Sequence, residues 1–306
     1  MKASTRTTNS RKRKSKEVGT KKRTPALVRT PTSGRDLALP KSEPLPSSGR
    51  PVAVISGERG TALEYASICV TGGYDVTLWS VHPPVEKKDL PERITASTIP
   101  PRSASVALEL TNVDQGGKRK NIEHLDRALA PDIAILSSSL TVSASEQASW
   151  ITGRHRLVGF AGLPTFGNAQ VVEVAPTVHT PRQTMQVARV FFRSLGKDVE
   201  LVQDRVGLVS ARIICQLINE AAFALQDDIA LPEDIDTAMK LGVSYPHGPL
   251  EWADRIGVDN VVAVLSALQR EYQEERYRVA PLLRNLALGG TWWRRSAVES
   301  STEGQS

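Results

Sequence analysis

The sequence is poor in cysteine and contains no long hydrophobic run. Cys69 and Cys215 are the only two cysteines among 306 residues, and both lie in apolar, regularly patterned segments. Two thiols so far apart have neither metal-ligand spacing nor a disulfide framework, which favours a reduced protein of the cytoplasm. No apolar run approaches the roughly 18 residues that a membrane-spanning helix needs, and the first residues lack the apolar stretch of a secretory signal. We therefore expect a cytoplasmic protein that binds no metal and does not associate with a membrane.

The excess positive charge is confined to the first fifty residues. They contain 14 Lys and Arg against 3 Asp and Glu, which is 14 − 3 = +11, while the remainder has 39 − 14 = 25 basic and 33 − 3 = 30 acidic residues, which is −5. Basic runs at residues 11–14 and 21–23 lie among Ser, Thr and Pro without aromatic residues, which predicts a disordered tail. The tail is either an arm that binds polyanions, a nuclear-type signal, or a solvated extension without function. We expect nucleic acid to be bound only through this tail.

A strand, a glycine-bearing turn, a helix and a second strand are predicted after the tail. Residues 51–56 are apolar enough for a short buried strand, Gly57 and Gly60 form the turn, and residues 62–70 continue as a helix. Residues 75–79 predict the second strand, which completes a βαβ unit typical of a dinucleotide-binding fold. Further along, the pattern predicts a loop, a strand, a helix and a strand, at residues 81–103, 105–110, 118–129 and 133–137.

The glycine-bearing turn departs from the phosphate-binding pattern. That pattern needs glycine at three places, the second of which lets the backbone approach the pyrophosphate. With Gly57 in the first place, Arg59 stands in the second and puts a side chain where the pyrophosphate would lie. The second strand ends at Ser80 instead of an acid that would bind the ribose hydroxyls. Such a serine suits the 2′-phosphate of NADP or indicates a site without nucleotide, and Gly57, Gly60 and Ser80 are the candidate cofactor-binding residues.

The second half of the chain has the periodicity of helices. Residues 213–225 carry apolar side chains at helical spacing. Pro232 stands where a helix would begin and Gly242 where it would end, and Pro249 begins another helix. Asp259 is predicted to cap a fourth helix that runs through residue 268.

Three segments of this half resemble the C-terminal domain of the 3-hydroxyacyl-CoA dehydrogenases, and the likeness runs from Val52 to Leu288. They are residues 219–221, 232–242 and 245–250, the last of which reads Tyr-Pro-His-Gly-Pro-Leu. The resemblance implies an α/β Rossmann-type domain followed by an all-α domain of the 6-phosphogluconate dehydrogenase C-terminal type. The corresponding division is a basic tail at 1–50, a shortened α/β domain at 51–204, a helical domain at 205–293 and a second tail at 294–306.

The resemblance also implies an activity and partners. Members of the family oxidise the 3-hydroxyl of an acyl-CoA to a ketone in fatty acid metabolism, with NAD, and they dimerise through the helical domain. For this chain it implies acyl-CoA as substrate, NAD or NADP as cofactor, and a homodimer or heterodimer.

The family's site residues can be carried over one by one. Glu173 matches the Glu that orients the catalytic His, and Ser138 matches a Ser that holds the substrate oxygen. The position of the His itself is Ala161, and that of an Asn three residues later is Pro164. Lys118 matches a Lys that contacts the cofactor. By spacing, His155 and His179 are surface residues and not substitutes for the missing base.

Two hypotheses of different classes follow. The chain is either a dehydrogenase of this family with an altered mechanism, or a non-catalytic relative that dimerises and acts as a scaffold or as a regulatory partner that binds acyl-CoA or nucleotide. A third hypothesis assigns nucleic-acid binding to the basic tail.

Overall fold

The computed structural model describes residues 49–86 and 90–289. The two predicted tails lie outside this part, except for Gly49 and Arg50. In the first half, strands and helices alternate: β1 (Val52–Glu58), α1 (Arg59–Thr71), β2 (Asp75–His82), β3 (Ile94–Ser97), β4 (Val106–Glu109), α2 (Gln115–Ala128), β5 (Ala134–Ser138), α3 (Ala144–Ser149), β6 (Leu157–Phe160), β7 (Val171–Pro176), α4 (Arg182–Ser194) and β8 (Asp198–Leu201). The second half is helical: α5 (Ser210–Gln226), α6 (Pro232–Gly242), α7 (Pro249–Ile256), α8 (Val258–Tyr272) and α9 (Pro281–Gly289).

The strands form one eight-stranded sheet in the order β3-β2-β1-β4-β5-β6-β7-β8. All neighbours are parallel except β6 and β7, which are antiparallel. Helices α1 and α4 pack on one face of the sheet, and α2 and α3 pack on the other. Because both faces are covered, the central strands are buried along almost their whole length. The prediction of a Rossmann-type α/β half followed by a helical half is confirmed.

The helical half has its own core. Residues of α5, α7, α8 and α9 pack together with Leu140 of the α/β half, and the buried face of α5 includes Ala211, Cys215 and Ile218. The apolar stripe predicted on α5 is broader than this face, since the side chain of Ile213 is 54% exposed. The predicted domain boundary between residues 204 and 205 falls in the connection between β8 and α5. No helix in the described residues is both long and apolar enough to cross a membrane.

The predicted loop over residues 81–103 is wrong in part. Strand β2 continues to His82, and β3 forms within that segment and pairs in parallel with β2. Strand β3 lies at the edge of the sheet, is four residues long and buries only Ile94, so no apolar run marks it in the sequence. Its existence therefore depends on the neighbouring strand that it pairs with.

The predicted cap of α8 is also wrong. Gly257, with a φ of +88°, precedes the helix, and Asp259 lies within its first turn without capping it through its side chain. An acid in the first turn is still favourable because it faces the positive end of the helix dipole. The sequence signal thus indicates the correct helix end, and the glycine occupies the cap because the chain there needs a positive φ.

Candidate functional site at the carboxyl ends of the strands

A cleft of about 390 Å³ opens at the carboxyl ends of β1, β2 and β4. Strand β1 has β2 on one side and β4 on the other, so the chain changes direction across the sheet at this point. Ligands of doubly wound folds bind in the crevice at such a switch point. The residues that line the cleft are Gly57, Glu58, Trp79, Ser80, His82, Thr111, Asp114, Gly117, Lys120, Asn121 and His124.

Gly57 is required by the packing of the turn. Its φ is +138°, and a Cβ built on it would lie 2.8 Å from the carbonyl carbon of Leu110. Any side chain would therefore collide with the backbone that follows β4. Gly60, in contrast, is exposed in the first turn of α1, and a Cβ there would meet nothing within 4 Å. Of these two candidate residues, the structure places Gly57 on the cleft wall and does not require glycine at position 60.

Glu58 is a residue of the site that the sequence analysis missed. Helix α1 begins at Arg59, so that Glu58 and not Arg59 is the last residue before the helix. The Glu58 carboxylate accepts hydrogen bonds from the backbone N–H groups of Asn112 and Val113, both at 2.9 Å to Oε1. Burial raises the pKa of Glu58 above its usual value, although the hydrogen bonds from Val113 and Asn112 act to lower it. An acid inside a glycine-bearing turn was the signal that could have identified it.

Ser80 lies on the opposite wall of the cleft, and β2 does not end there as predicted but continues to His82. With a φ of +51°, Ser80 sits at an irregularity in the pairing of β1 with β2. Its hydroxyl donates to Oδ1 of Asn121 at 2.7 Å, which ties β2 to α2. The hydroxyl that was expected to meet a ribose or a 2′-phosphate is thus engaged within the protein.

Lys118 lies beneath the cleft. Its ammonium group donates to Oε2 of Glu109 at 2.5 Å and to the carbonyl oxygen of Thr111 at 2.9 Å. Both Lys118 and Glu109 have side chains with 0% exposure. The structure therefore places Lys118 among buried partners and puts a different lysine, Lys120, on the wall of the cleft.

Ser138 ends β5 and is fully buried. Its hydroxyl donates to Oδ1 of Asn112 at 2.6 Å, and the Asn112 amide donates to the carbonyl oxygen of Gly162 at 3.2 Å. A Cβ on Gly162 would lie 2.7 Å from the Ser138 hydroxyl oxygen, so the segment after β6 packs directly on Ser138. Asn112 joins the two segments, and nothing in the sequence distinguished it.

Glu173 of β7 is bound to the start of the helical half. Its two carboxylate oxygens accept hydrogen bonds at 2.8 Å from the backbone N–H groups of Val209 and Ser210, where α5 begins. Ala161 lies beside it, since the N–H of Ala161 donates to the carbonyl oxygen of Glu173 at 3.0 Å. The structure therefore brings Glu173 next to Ala161, the position that the resemblance assigns to the His, and the Glu173 carboxylate caps α5.

His155 and His179 lie at the opposite ends of the strands from the cleft, near the start of β6. Strand β6 begins just after His155, whereas Ser138 pairs with Phe160 at the end of that strand. His179 follows β7, which runs antiparallel to β6, and the neighbouring Thr180 hydroxyl donates to the carbonyl oxygen of Leu157 at 2.9 Å. Both histidines are exposed, and their position excludes them as bases acting near Ser138.

The residues present do not suit a dinucleotide. The carboxylate of Glu58 lies in the turn that a pyrophosphate would approach, and Ser80 stands where an acid should bind the ribose. Within residues 49–86 and 90–289, no three His, Cys, Asp or Glu side chains are grouped so as to hold a metal ion.

The chain is similar to 3-hydroxyacyl-CoA dehydrogenases in both sequence and structure. The protein-family model of the 3-hydroxyacyl-CoA dehydrogenase C-terminal domain matches residues 207–299 of the sequence. The chain is 30% identical over 234 residues to a probable 3-hydroxybutyryl-CoA dehydrogenase of Deinococcus radiodurans, which covers 74% of this chain and 83% of that protein. It is 29% identical over 193 residues to a probable 3-hydroxybutyryl-CoA dehydrogenase of Bacillus subtilis, with 63% and 67% covered. The crystal structure of (S)-3-hydroxybutyryl-CoA dehydrogenase from Ralstonia eutropha superposes with a TM-score of 0.65 at 25% identity, with 81% and 97% covered.

Proposed function

The chain belongs to the 3-hydroxyacyl-CoA dehydrogenase family. We propose that it retains the family's fold to bind and assemble with a partner chain, and that it does not carry out the family's hydride transfer. Similarity to the relatives supports the dehydrogenase function in general, and the proposal concerns what remains of it in this chain. The observation that carries the proposal is the pair formed by Ala161 and Glu173. A methyl group occupies the position of the base, and the carboxylate that would orient that base caps α5.

Oxidation of a 3-hydroxyl requires a group that removes the hydroxyl proton. A positioned base contributes about 10²–10⁴-fold to such a step. Ala161 has no basic atom, and the Glu173 carboxylate accepts two backbone hydrogen bonds. Ser138 is buried, and its hydroxyl donates a hydrogen bond to Oδ1 of Asn112. The resemblance implies NAD or NADP as the cofactor, but the residues at the cleft do not suit either, so we derive no step through a dinucleotide.

We expect the full chain to show no reduction of acetoacetyl-CoA with NADH or with NADPH above the rate without protein. The measurement is the loss of reduced-nucleotide absorbance at high protein concentration, with a catalytic member of the family as the positive control. Turnover that disappears in both S138A and E173Q, each shown to be folded, would contradict the proposal and assign catalytic roles to these two residues. The dehydrogenase hypothesis would then replace it.

The assembly part of the proposal concerns the helical half. Resemblance to the family implies a dimer through this half, and several of its large apolar side chains are exposed, among them Ile213 at 54% and Leu241 at 81%. Several exposed apolar side chains in one half favour a contact surface there, whereas one exposed apolar side chain by itself is ordinary. We therefore propose that the helical half contacts a second chain, which is another copy or a related dehydrogenase.

We expect the full chain to sediment as a dimer and the variant L241E to shift it towards the monomer, because a charge in an apolar contact remains without a partner. The matched control is V178E in the α/β half, since Val178 is 92% exposed and should leave the dimer intact. Sedimentation equilibrium measures the masses. A monomeric wild-type chain, or equal masses for L241E and the wild type, would contradict a homodimer through the surface around Leu241.

A further inference from the structure

The strongest feature that the proposed function leaves unused is the carboxylate of Glu58. It lies at the switch point of the sheet, between the end of β1 and the segment that follows β4. In dinucleotide-binding folds the pyrophosphate lies at this place, against the N-terminus of the first helix. In this chain the side chain of Glu58 does not cap α1 but extends across the crevice to the other side.

The carboxylate is held there by backbone donors. Oε1 accepts from the N–H groups of Asn112 and Val113 at 2.9 Å each, and Oε2 accepts from the N–H of Asn112 at 3.1 Å. Successive backbone N–H groups of this kind form a site for an anion. The protein supplies that anion from its own chain, across 54 residues of sequence.

The position of Glu58 bears directly on a phosphorylated ligand. Glu58 lines the cleft together with Gly57 and Thr111, so its charge faces the space where the ligand would lie. Burial disfavours the charged form and raises the pKa of Glu58, and Glu109 nearby adds to this effect. A pyrophosphate placed beside it would bring further negative charge into the same crevice, where like charges in contact are strongly unfavourable.

We infer that Glu58 closes the dinucleotide site, because its carboxylate occupies the backbone donors at Asn112 and Val113 and rejects the pyrophosphate of NAD and NADP. The inference rests on the proposed function, since it explains how this member of the family dispenses with the cofactor. Without the Glu58 side chain, the crevice should bind a pyrophosphate more tightly.

The experiment is calorimetric titration of the full chain and of E58G with NADH, NADPH and ADP-ribose. ADP-ribose contains the pyrophosphate but no nicotinamide, so it tests the rejected group itself. We expect E58G to bind ADP-ribose and at least one of the two reduced dinucleotides about 100-fold more tightly than the wild type, because a like charge is removed from the contact. E58Q, which keeps the size but not the charge, should lie between the two.

The control is E92Q, which removes the same charge from an exposed position outside the cleft and should bind like the wild type. Thermal unfolding shows whether each variant is folded. If E58G does not fold, E58Q decides, since unchanged affinity in folded E58Q would overturn the inference. Folded E58G that binds no more tightly than the wild type would overturn it as well. Tight NADH binding by the wild type without turnover would overturn this inference alone, whereas turnover by the wild type would overturn the proposed function too.

Discussion

Replacement of Lys118 by methionine is expected to lower the free energy of unfolding by about 3–5 kcal/mol, the usual loss when one partner of a buried ion pair is removed. The Lys118 ammonium and the Glu109 carboxylate are 2.5 Å apart and have no exposed side-chain surface. Methionine fills a similar volume, so the loss reflects charge and not a cavity. Glu109 would keep only weaker neutral donors: Asn121 and Ser137 at 3.3 Å and the backbone N–H of Thr111 at 3.1 Å.

Chemical denaturation of K118M and of R119M measures this effect with a matched control. Arg119 is the next residue of α2 and pairs with Glu123, but its side chain is 59% exposed. Surface pairs of this kind contribute about 0–1 kcal/mol because water and salt screen them. Equal losses in the two variants would show that the Glu109–Lys118 pair does not stabilise the floor of the cleft. A larger loss in K118M would assign Lys118 a structural role, whatever it contacts in other members of the family.

The variant R156M is expected to lower the free energy of unfolding by a similar amount, about 3–5 kcal/mol. The ion pair of Arg156 lies on the face of the sheet that α2 covers. The Arg156 guanidinium is 2.8 Å from Oδ1 of Asp126, and both side chains are almost completely buried. It also donates to the carbonyl oxygens of Ala130, Leu125 and Asp126. Without the arginine, the Asp126 carboxylate would lose its cationic partner, and three carbonyl groups would lose a donor.

The same pair predicts a pH dependence. Desolvation acts to raise the pKa of Asp126, but hydrogen bonds from Arg156 and Thr152 outweigh it and hold the pKa below the ordinary value of 3.8. A lowered pKa means that the folded state binds the proton less tightly than the unfolded state. The stability that the Asp126 carboxylate contributes is therefore fully present above the pKa of the unfolded state, and it is lost as the pH falls through the pKa of the folded state. Wild-type stability should therefore fall more steeply than that of D126N below about pH 4. Denaturant unfolding between neutral and acidic pH measures both curves, and parallel curves would contradict the assignment.

The two ion pairs and the Glu58 and Glu173 contacts have one feature in common. Each joins a charged group to a partner on a different element: α2 to β4, α2 to the turn before β6, β1 to the segment after β4, and β7 to α5. Three of these contacts, all except Arg156–Asp126, lie on the side of the sheet where the parallel strands have their carboxyl ends. We expect this end of the strands to be rigid, which agrees with the proposal that the chain no longer carries out the family's hydride transfer.

Much of the fold could be predicted because its signals are local. The apolar run of β1, the glycine turn, the paired proline and glycine of α6 and the periodicity of α5 each lie within a few residues of one another. Errors arose where the signal was not local. Strand β3 has too few apolar residues to be recognised without its neighbour β2, and the start of α1 placed Glu58, not Arg59, at the crevice.

The sequence by itself determined which chemical groups the site can contain. By the resemblance, Ala161 stands at the position of the base and Ser80 at the position of an acid, and the glycine turn contains an acid. Only the tertiary structure decided what the remaining groups do, because strand order brings together residues that are far apart in the chain. Glu58 meets Asn112, Ser138 meets Asn112 from the other side, and Glu173 meets the start of α5. A hydrogen bond depends on the distance and direction between two atoms, and those are set by the packing of the sheet and helices and not by the spacing of residues along the chain.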